Sequence, residues 1–280
     1  MLFLLCNPAI TTGKNSGWED IIRSEMKNRN FLVWLNIFTF IITLVVNFLA
    51  TNLPLNNKTT GEISDLFDIY FVPAGYVFSI WGVIYLGLIA YVVFQALPAQ
   101  RADDRLRKID GWFILVNIAN AVWLFCWHYL QFELSVIIML VILASLIKIF
   151  LELEIGKTKN KGAWLWAVEI PFGMYLGWIT VAAIANITQL LNFVGWNGFG
   201  LEPQTWFVII LAAAVVISAL MSFTRRNIPH ALVLIWAFIG IAIKFPDVPP
   251  VNISSWIGTA LVAGFLAAAF LVRTRKKAES

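Results

Sequence analysis

The chain has 280 residues, of which 60% are hydrophobic and only 13% charged, and its net charge is +4. Soluble domains carry roughly 25% charged residues, so this composition excludes a water-soluble globular fold and indicates a polytopic membrane protein. Its two cysteines, Cys6 in the N-terminal segment and Cys126 inside a predicted span, cannot form a disulfide framework, and no nucleic-acid partner is expected.

In chain order, residues 1–30 read as a cytoplasmic lead-in. The apolar Met1–Cys6 is too short to span a bilayer and lacks the basic start of a signal peptide. Met26 would itself make a start, and the first 25 residues are expected to be loosely ordered. Eight spans follow, predicted at Phe31–Leu53, Tyr76–Leu97, Gly111–Tyr129, Leu134–Glu154, Ala163–Leu191, Thr205–Thr224, Ile228–Phe245 and Val251–Val272. The seventh is the shortest. Residues 273–280 form a basic tail.

The basic residues test this count independently. Seventeen of the 20 lysines and arginines fall in the two tails and the even-numbered loops. Lys58 and Lys244 fall on the opposite side, and Lys148 lies within span four. Such alternation follows the positive-inside rule, which places both termini in the cytoplasm; the plasma (inner) membrane is the expected location. The loop after span one is longer than a helix hairpin needs and carries Glu62, Asp65 and Asp68 before Phe67, Tyr70 and Phe71. It is either a lid over an outward-facing pocket or a solvated connector.

Span two opens with Pro73 and Gly75, where an extended approach gives way to helix, followed by the rings Tyr76, Phe78, Trp81 and Tyr85. Trp81 and Tyr85 share a helix face. Leucine would satisfy a bilayer equally well, so these rings either shape a cavity or pack helices together. In span three, Asn120, Trp123 and Trp127 follow i, i+3, i+7, and Asn117 extends that face inward. In span five, Trp178, Ala182 and Asn186 are spaced by four. Asparagine in hydrocarbon needs a partner, so both faces should point into the bundle. Counting from the helix ends at ~1.5 Å per residue puts these three motifs in one layer of the outer half.

The catalytic inventory is thin. Only two histidines are present, and no metal, nucleophile-elbow or phosphate-loop motif is found. His128, beside Trp127 and Tyr129, reads as an interfacial polar residue. Lys148 and Glu169 lie at similar depth on consecutive antiparallel spans, and burying either alone is costly, so a structural ion pair is expected. In the alternative, Lys148 snorkels to the interface and Glu169 lines a hydrated gap.

The second-span run Pro73, Tyr76, Val77, Phe78, Trp81 and Tyr85, the Ala119-Asn120 and Trp123 of span three, and Trp178, Ala182 and Asn186 of span five together resemble the translocator-protein family. These proteins are also called tryptophan-rich sensory proteins, or TspO/MBR. The resemblance covers residues 31–192. It departs from the family in having tyrosine for the first tryptophan of span two, seven residues rather than four between Pro171 and Trp178, and three helices beyond Leu191.

The resemblance implies an all-α, five-helix membrane core (31–192) with three additional transmembrane helices (205–272). It also implies a ligand-binding site for a hydrophobic small molecule such as a porphyrin-like tetrapyrrole, built from Tyr76, Phe78, Trp81, Tyr85, Asn120, Trp123, Trp127, Trp178, Ala182 and Asn186. The expected role is sensory or transport-related, with membrane lipid as partner, no resident cofactor, and a homodimer as the expected assembly. Two other classes stand beside this one. One is a membrane enzyme acting on a lipophilic substrate, and the other a secondary transporter using Lys148 and Glu169, although no internal repeat relates the first four spans to the last four. The charge alternation makes a direct prediction. Alkaline phosphatase, active only outside the cytoplasm, should be inactive when fused after Ser280, and strong activity there would overturn the orientation.

Overall fold

The computed structural model describes residues 16–52, 55–158 and 160–278. Expectations for Met1–Cys6 lie outside these residues. From Ser16 onward the lead-in is already helical and continuous with span one, which corrects the expectation of a loosely ordered stretch up to residue 25.

The described chain is all-helical, as expected. Helix α1 is Ser16–Asn52, the short α2 is Thr60–Ser64, α3 is Ile80–Ala96 and α4 is Asp104–His128. They are followed by α5 (Phe132–Glu152), α6 (Ile170–Phe193), α7 (Pro203–Arg225), α8 (Ile228–Lys244) and α9 (Pro249–Ala278). Among the described residues seven helices are long and apolar enough to cross a membrane. The remaining predicted span, α8, is shorter, with 17 residues or about 26 Å at ~1.5 Å per residue, and its polar side chains are His230 in the first turn and Lys244 at the end.

Helix boundaries follow from local chemistry. Asp103 caps α4 by accepting the Arg105 backbone N–H at 2.9 Å, and Asn227 caps α8 by accepting that of His230 at 2.8 Å. Prolines occupy the first turns of α7 and α8, where a missing N–H costs nothing. A 3-10 turn over Gly75–Ser79 leads into α3, and a π turn over Leu165–Glu169 leads into α6. Pro171 follows that π turn and cannot donate back into it, so the ladder is loosened just where Glu169 sits.

Five helices close a ring in which α1 touches α3 and α4, α3 touches α6, and α5 bridges α4 and α6. Helix α8 packs along α6 and against the 3-10 turn, while α9 lies against both α7 and α8. The three C-terminal helices are therefore built into the bundle. Small residues bring them close: a Cβ on Gly240 would lie 2.2 Å from Val77 Cγ2, and one on Gly177 would lie 3.1 Å from the His230 backbone. The Ala74 N–H donates to the Gly240 carbonyl at 3.2 Å, tying the approach to α3 directly to α8.

Arg101 in the α3–α4 turn, Arg105 in the first turn of α4 and Arg225 at the end of α7 lie at one end of the bundle, called here the basic face; the opposite end, carrying residues 55–79, is called the loop face. Near the basic face, Arg29 Nη1 donates to Asp110 Oδ2 at 2.7 Å, and Asn36 Nδ2 donates to Asp110 Oδ1 at 2.9 Å and Gln95 Oε1 at 3.3 Å. All four side chains are buried, which joins α1, α3 and α4 through one charged cluster.

The expected Lys148–Glu169 pair is not formed. Lys148 pairs with Glu152 one turn on, at 2.6 Å, and is half-exposed. Glu169 instead accepts from Asn160 Nδ2 at 2.6 Å. Equal depth on neighbouring helices does not imply facing directions, and a carboxylate at i+4 on the same helix is always within reach.

Breaking a buried ion pair on one side leaves an uncompensated charge. Asp110→Leu should therefore cost about 3–5 kcal/mol in detergent unfolding, and adding Arg29→Met should recover most of that loss. Equal stability of Asp110→Leu and the parent would show that the cluster holds nothing together.

Candidate functional site

At the loop face the chain after α1 folds back over the bundle. Thr59 caps α2 in a reciprocal box: its hydroxyl accepts from the Glu62 N–H at 3.3 Å, and Glu62 Oε2 accepts from the Thr59 N–H at 2.6 Å. That backbone bond, followed by the hydroxyl, holds the Glu62 carboxyl below its ordinary pKa. Ile63, Phe71 and Val72 are buried under the loop. Lys244, at the end of α8, pairs with Asp65 and pins it further. Of the two readings of this segment, the geometry is that of a cover.

His128 anchors the cover and is fully buried, which corrects the interfacial reading. Its Nδ1 lies 3.0 Å from the Leu55 carbonyl, so that nitrogen carries the proton. Its Nε2 is then the acceptor for the Thr60 hydroxyl at 3.1 Å. Trp127 Nε1 donates to the Thr60 carbonyl at 3.2 Å.

Beneath α2 lies a cavity of about 40 Å³, lined by Phe78, Trp81, Trp123, Trp127, Trp178, Ala182 and Asn186 together with Thr60, Ser64, Val72, Pro73, Val181 and Ala185. Seven of the ten residues singled out in the sequence thus converge on one space. Its rings interlock: Phe78 meets Trp178 edge-on at 5.7 Å, Trp81 meets Trp178 at 6.2 Å, and Trp123 stacks on Trp127 at 5.6 Å. Trp123 Nε1 donates to Asn186 Oδ1 at 3.1 Å, and Asn186 Nδ2 donates to Ser135 Oγ at 2.9 Å, which locks α4, α5 and α6 together. The space is that of about one water molecule, far below the roughly 300 Å³ at which ligand pockets begin.

The remaining three residues sit elsewhere. Tyr76 is 44% exposed and meets Trp236 of α8 edge-on at 5.4 Å, on the far side of the 3-10 turn. Asn120 accepts from Asn47 Nδ2 at 2.9 Å and donates to the Tyr175 hydroxyl at 3.3 Å, so it joins α1, α4 and α6. Tyr85 stacks on Trp81 at 5.2 Å and 17° and faces a second, larger space.

That space is a groove of about 750 Å³ between α1 and α3, open at the side of the bundle. Leu44, Asn47 and Phe48 form one wall, and Phe78, Trp81, Gly82 and Tyr85 the other, with Thr60 and Gly61 above. Phe78, Trp81 and Thr60 line both spaces and therefore stand between them. The wall from α1 was missed in the sequence. Asn36, Thr39, Thr43 and Asn47, at helical spacing on span one, were the available signal, because polar side chains in hydrocarbon mark the side that faces protein.

The family model described as TSPO-like protein matches residues 33–268. The chain belongs to that family. The match runs well past residue 192, so α7, α8 and α9 fall within the TSPO-like pattern rather than following it. Neither a comparison with curated proteins nor one with solved structures returns a match.

Replacing Asn186 with leucine leaves the Trp123 N–H buried without a partner and removes the donor to Ser135 Oγ, which keeps its bond to the Phe132 carbonyl, at a cost of about 1–3 kcal/mol for such a group. Asn186→Leu should lower the unfolding temperature in detergent clearly more than Ile187→Leu, a change at a neighbouring exposed position. Equal effects would deny the junction its role.

Proposed function

We propose that this TSPO-like membrane protein binds a hydrophobic small molecule of tetrapyrrole type and serves a sensory or transport-related role, with both termini in the cytoplasm. The observation that carries this reading is the groove between α1 and α3. Its volume of about 750 Å³ falls in the range of roughly 300–1,000 Å³ typical of small-molecule sites, and one wall is a stack of aromatic rings. A flat conjugated ligand would lie against Trp81 and Tyr85. Asn47, Thr51 and Asn52 offer polar contacts that fix orientation, and Glu62 and Asp65 line the end under the loop. This moves the ligand from the inner cavity, where the sequence motifs converge, to the adjoining groove. The inner rings then act as the rigid support behind Trp81.

A transporter using Lys148 and Glu169 loses its motivation, since the two residues have separate partners. For an enzyme, the described residues offer no cluster of three or more metal-ligating side chains, and the one histidine at the site is engaged with the cover.

Tryptophan quenching of the purified protein by a porphyrin tests the reading. A Cβ on Gly82 meets nothing within 4 Å, so Gly82→Phe should fold normally while filling the groove and abolishing binding. Trp81→Leu should weaken binding by about 1 kcal/mol, or roughly five-fold. Ala182→Phe, at the inner cavity, should leave affinity within about two-fold, because the ligand stays in the wider space. Unchanged affinity in both Gly82→Phe and Trp81→Leu would overturn the assignment.

A further inference from the structure

A second groove lies on the other side of α3, bounded by α3, α6 and α8, with a volume of about 630 Å³. Its length is lined by Ile80, Val83, Ile170, Met174, Leu232 and Val233. From Ile228 at its basic-face end to Trp236 at the other is eight residues of α8, or about 12 Å, a little under half of a roughly 30 Å bilayer core. An apolar slot of that length, open at the side, has the dimensions of the space taken by acyl chain in one leaflet.

The charged groups on its lining are confined to the basic-face end, where Glu169 and Arg226 both line it. Glu169 is 9% exposed and takes a hydrogen bond from Asn160. Arg226 is half-buried and spends its Nε on the Ala269 carbonyl at 3.1 Å. The two do not pair with each other among the described residues. Arg105, the cation whose field reaches Glu169, is held by both oxygens of Asp103, at 3.2 and 2.8 Å, and stacks over Trp164 at 3.7 Å. The lining thus carries one carboxylate and one guanidinium, both at that end of the groove.

Its frame is tightly built. Arg226 is the left-handed cap of α7, with φ 50°, and a Cβ on Gly156 would fall 2.0 Å from the Arg225 carbonyl oxygen. The Asn227 amide fills the space left by the missing side chain of Gly173.

We infer that this groove holds a phospholipid whose head carries a primary amine, with the phosphate on Arg226, the ammonium on Glu169 and a chain along α8. A wholly anionic head would meet the Glu169 carboxylate. A quaternary ammonium head has no N–H to donate to it. Only a head with both a phosphate and a protonated amine satisfies the two groups at once. The site is separate from the α1–α3 groove, and its test does not depend on what binds there.

The experiment uses the full chain in nanodiscs of equal phosphatidylethanolamine, phosphatidylcholine and phosphatidylglycerol, followed by native mass spectrometry of the lipid retained after transfer to detergent. The parent should retain phosphatidylethanolamine about ten-fold over the other two, the worth of one hydrogen bond to a charged group. Glu169→Gln keeps an acceptor for Asn160 and should bring phosphatidylethanolamine and phosphatidylglycerol to parity. Arg226→Asn, which tolerates the left-handed cap, should lower retention of all three. Leu232→Trp, on an exposed wall position, should do the same by blocking the slot. Free phosphoethanolamine should not displace the lipid. Equal retention of the three lipids by the parent, a preference that survives Glu169→Gln, or full displacement by phosphoethanolamine would each overturn the inference.

Discussion

In hydrocarbon a polar side chain has no water to turn to, and that constraint sets how the ring helices meet. A column of buried polar groups runs the length of the bundle, from Arg29, Asn36, Gln95 and Asp110 through Asn47, Asn120 and Tyr175 to Trp123, Asn186 and Ser135. Each step crosses from one helix to another, so each fixes a rotation as well as a distance. Apolar packing alone would let lipid-like side chains slide past one another, because lipid tails are as apolar as leucine. The aromatic layer at the loop face has its shape because the column beneath it leaves α4 and α6 one relative orientation.

The same constraint explains the first loop. Leu55, Thr60 and the turn between them offer backbone carbonyls and a hydroxyl to His128 and Trp127, which would otherwise be buried without partners. The loop is held down by the polar ends of α4, by its own buried side chains Ile63, Phe71 and Val72, and by the ion pair from Asp65 to the far end of α8. Through that contact and the Ala74–Gly240 hydrogen bond, the C-terminal helices help to set the position of the first aromatic residues of α3. The family match likewise extends through these helices.

Helix α3 divides two side-opening grooves of different character. One is walled by rings and amides with Glu62 and Asp65 beside the first loop, the other by aliphatic chains with Glu169 and Arg226 at one end. The rings Phe78, Trp81 and Tyr85 turn toward α1 and α6, while Ile80 and Val83 turn toward α8. A single helix can serve both because its residues fall on opposite faces at a 3.6-residue period.

The sequence by itself determined the class, the places of the long apolar helices, and most of the aromatic layer. Apolar length and the alternation of basic loops set the first two, and the i, i+3, i+4, i+7 spacing of Asn and Trp on spans three and five marked which faces turn inward. These are local quantities, so one chain suffices to read them. Azimuth between helices is not local. Lys148 and Glu169 were matched in depth yet face different partners, Tyr76 points to α8 rather than into the layer, and Asn120 supports the site from behind. Only the tertiary structure decided that five rings, Asn186 and Ala182 close a space too small for a ligand, and that the wider space lies between α1 and α3. Volume between helices depends on how the side chains of several elements interdigitate, and no single helix carries that information.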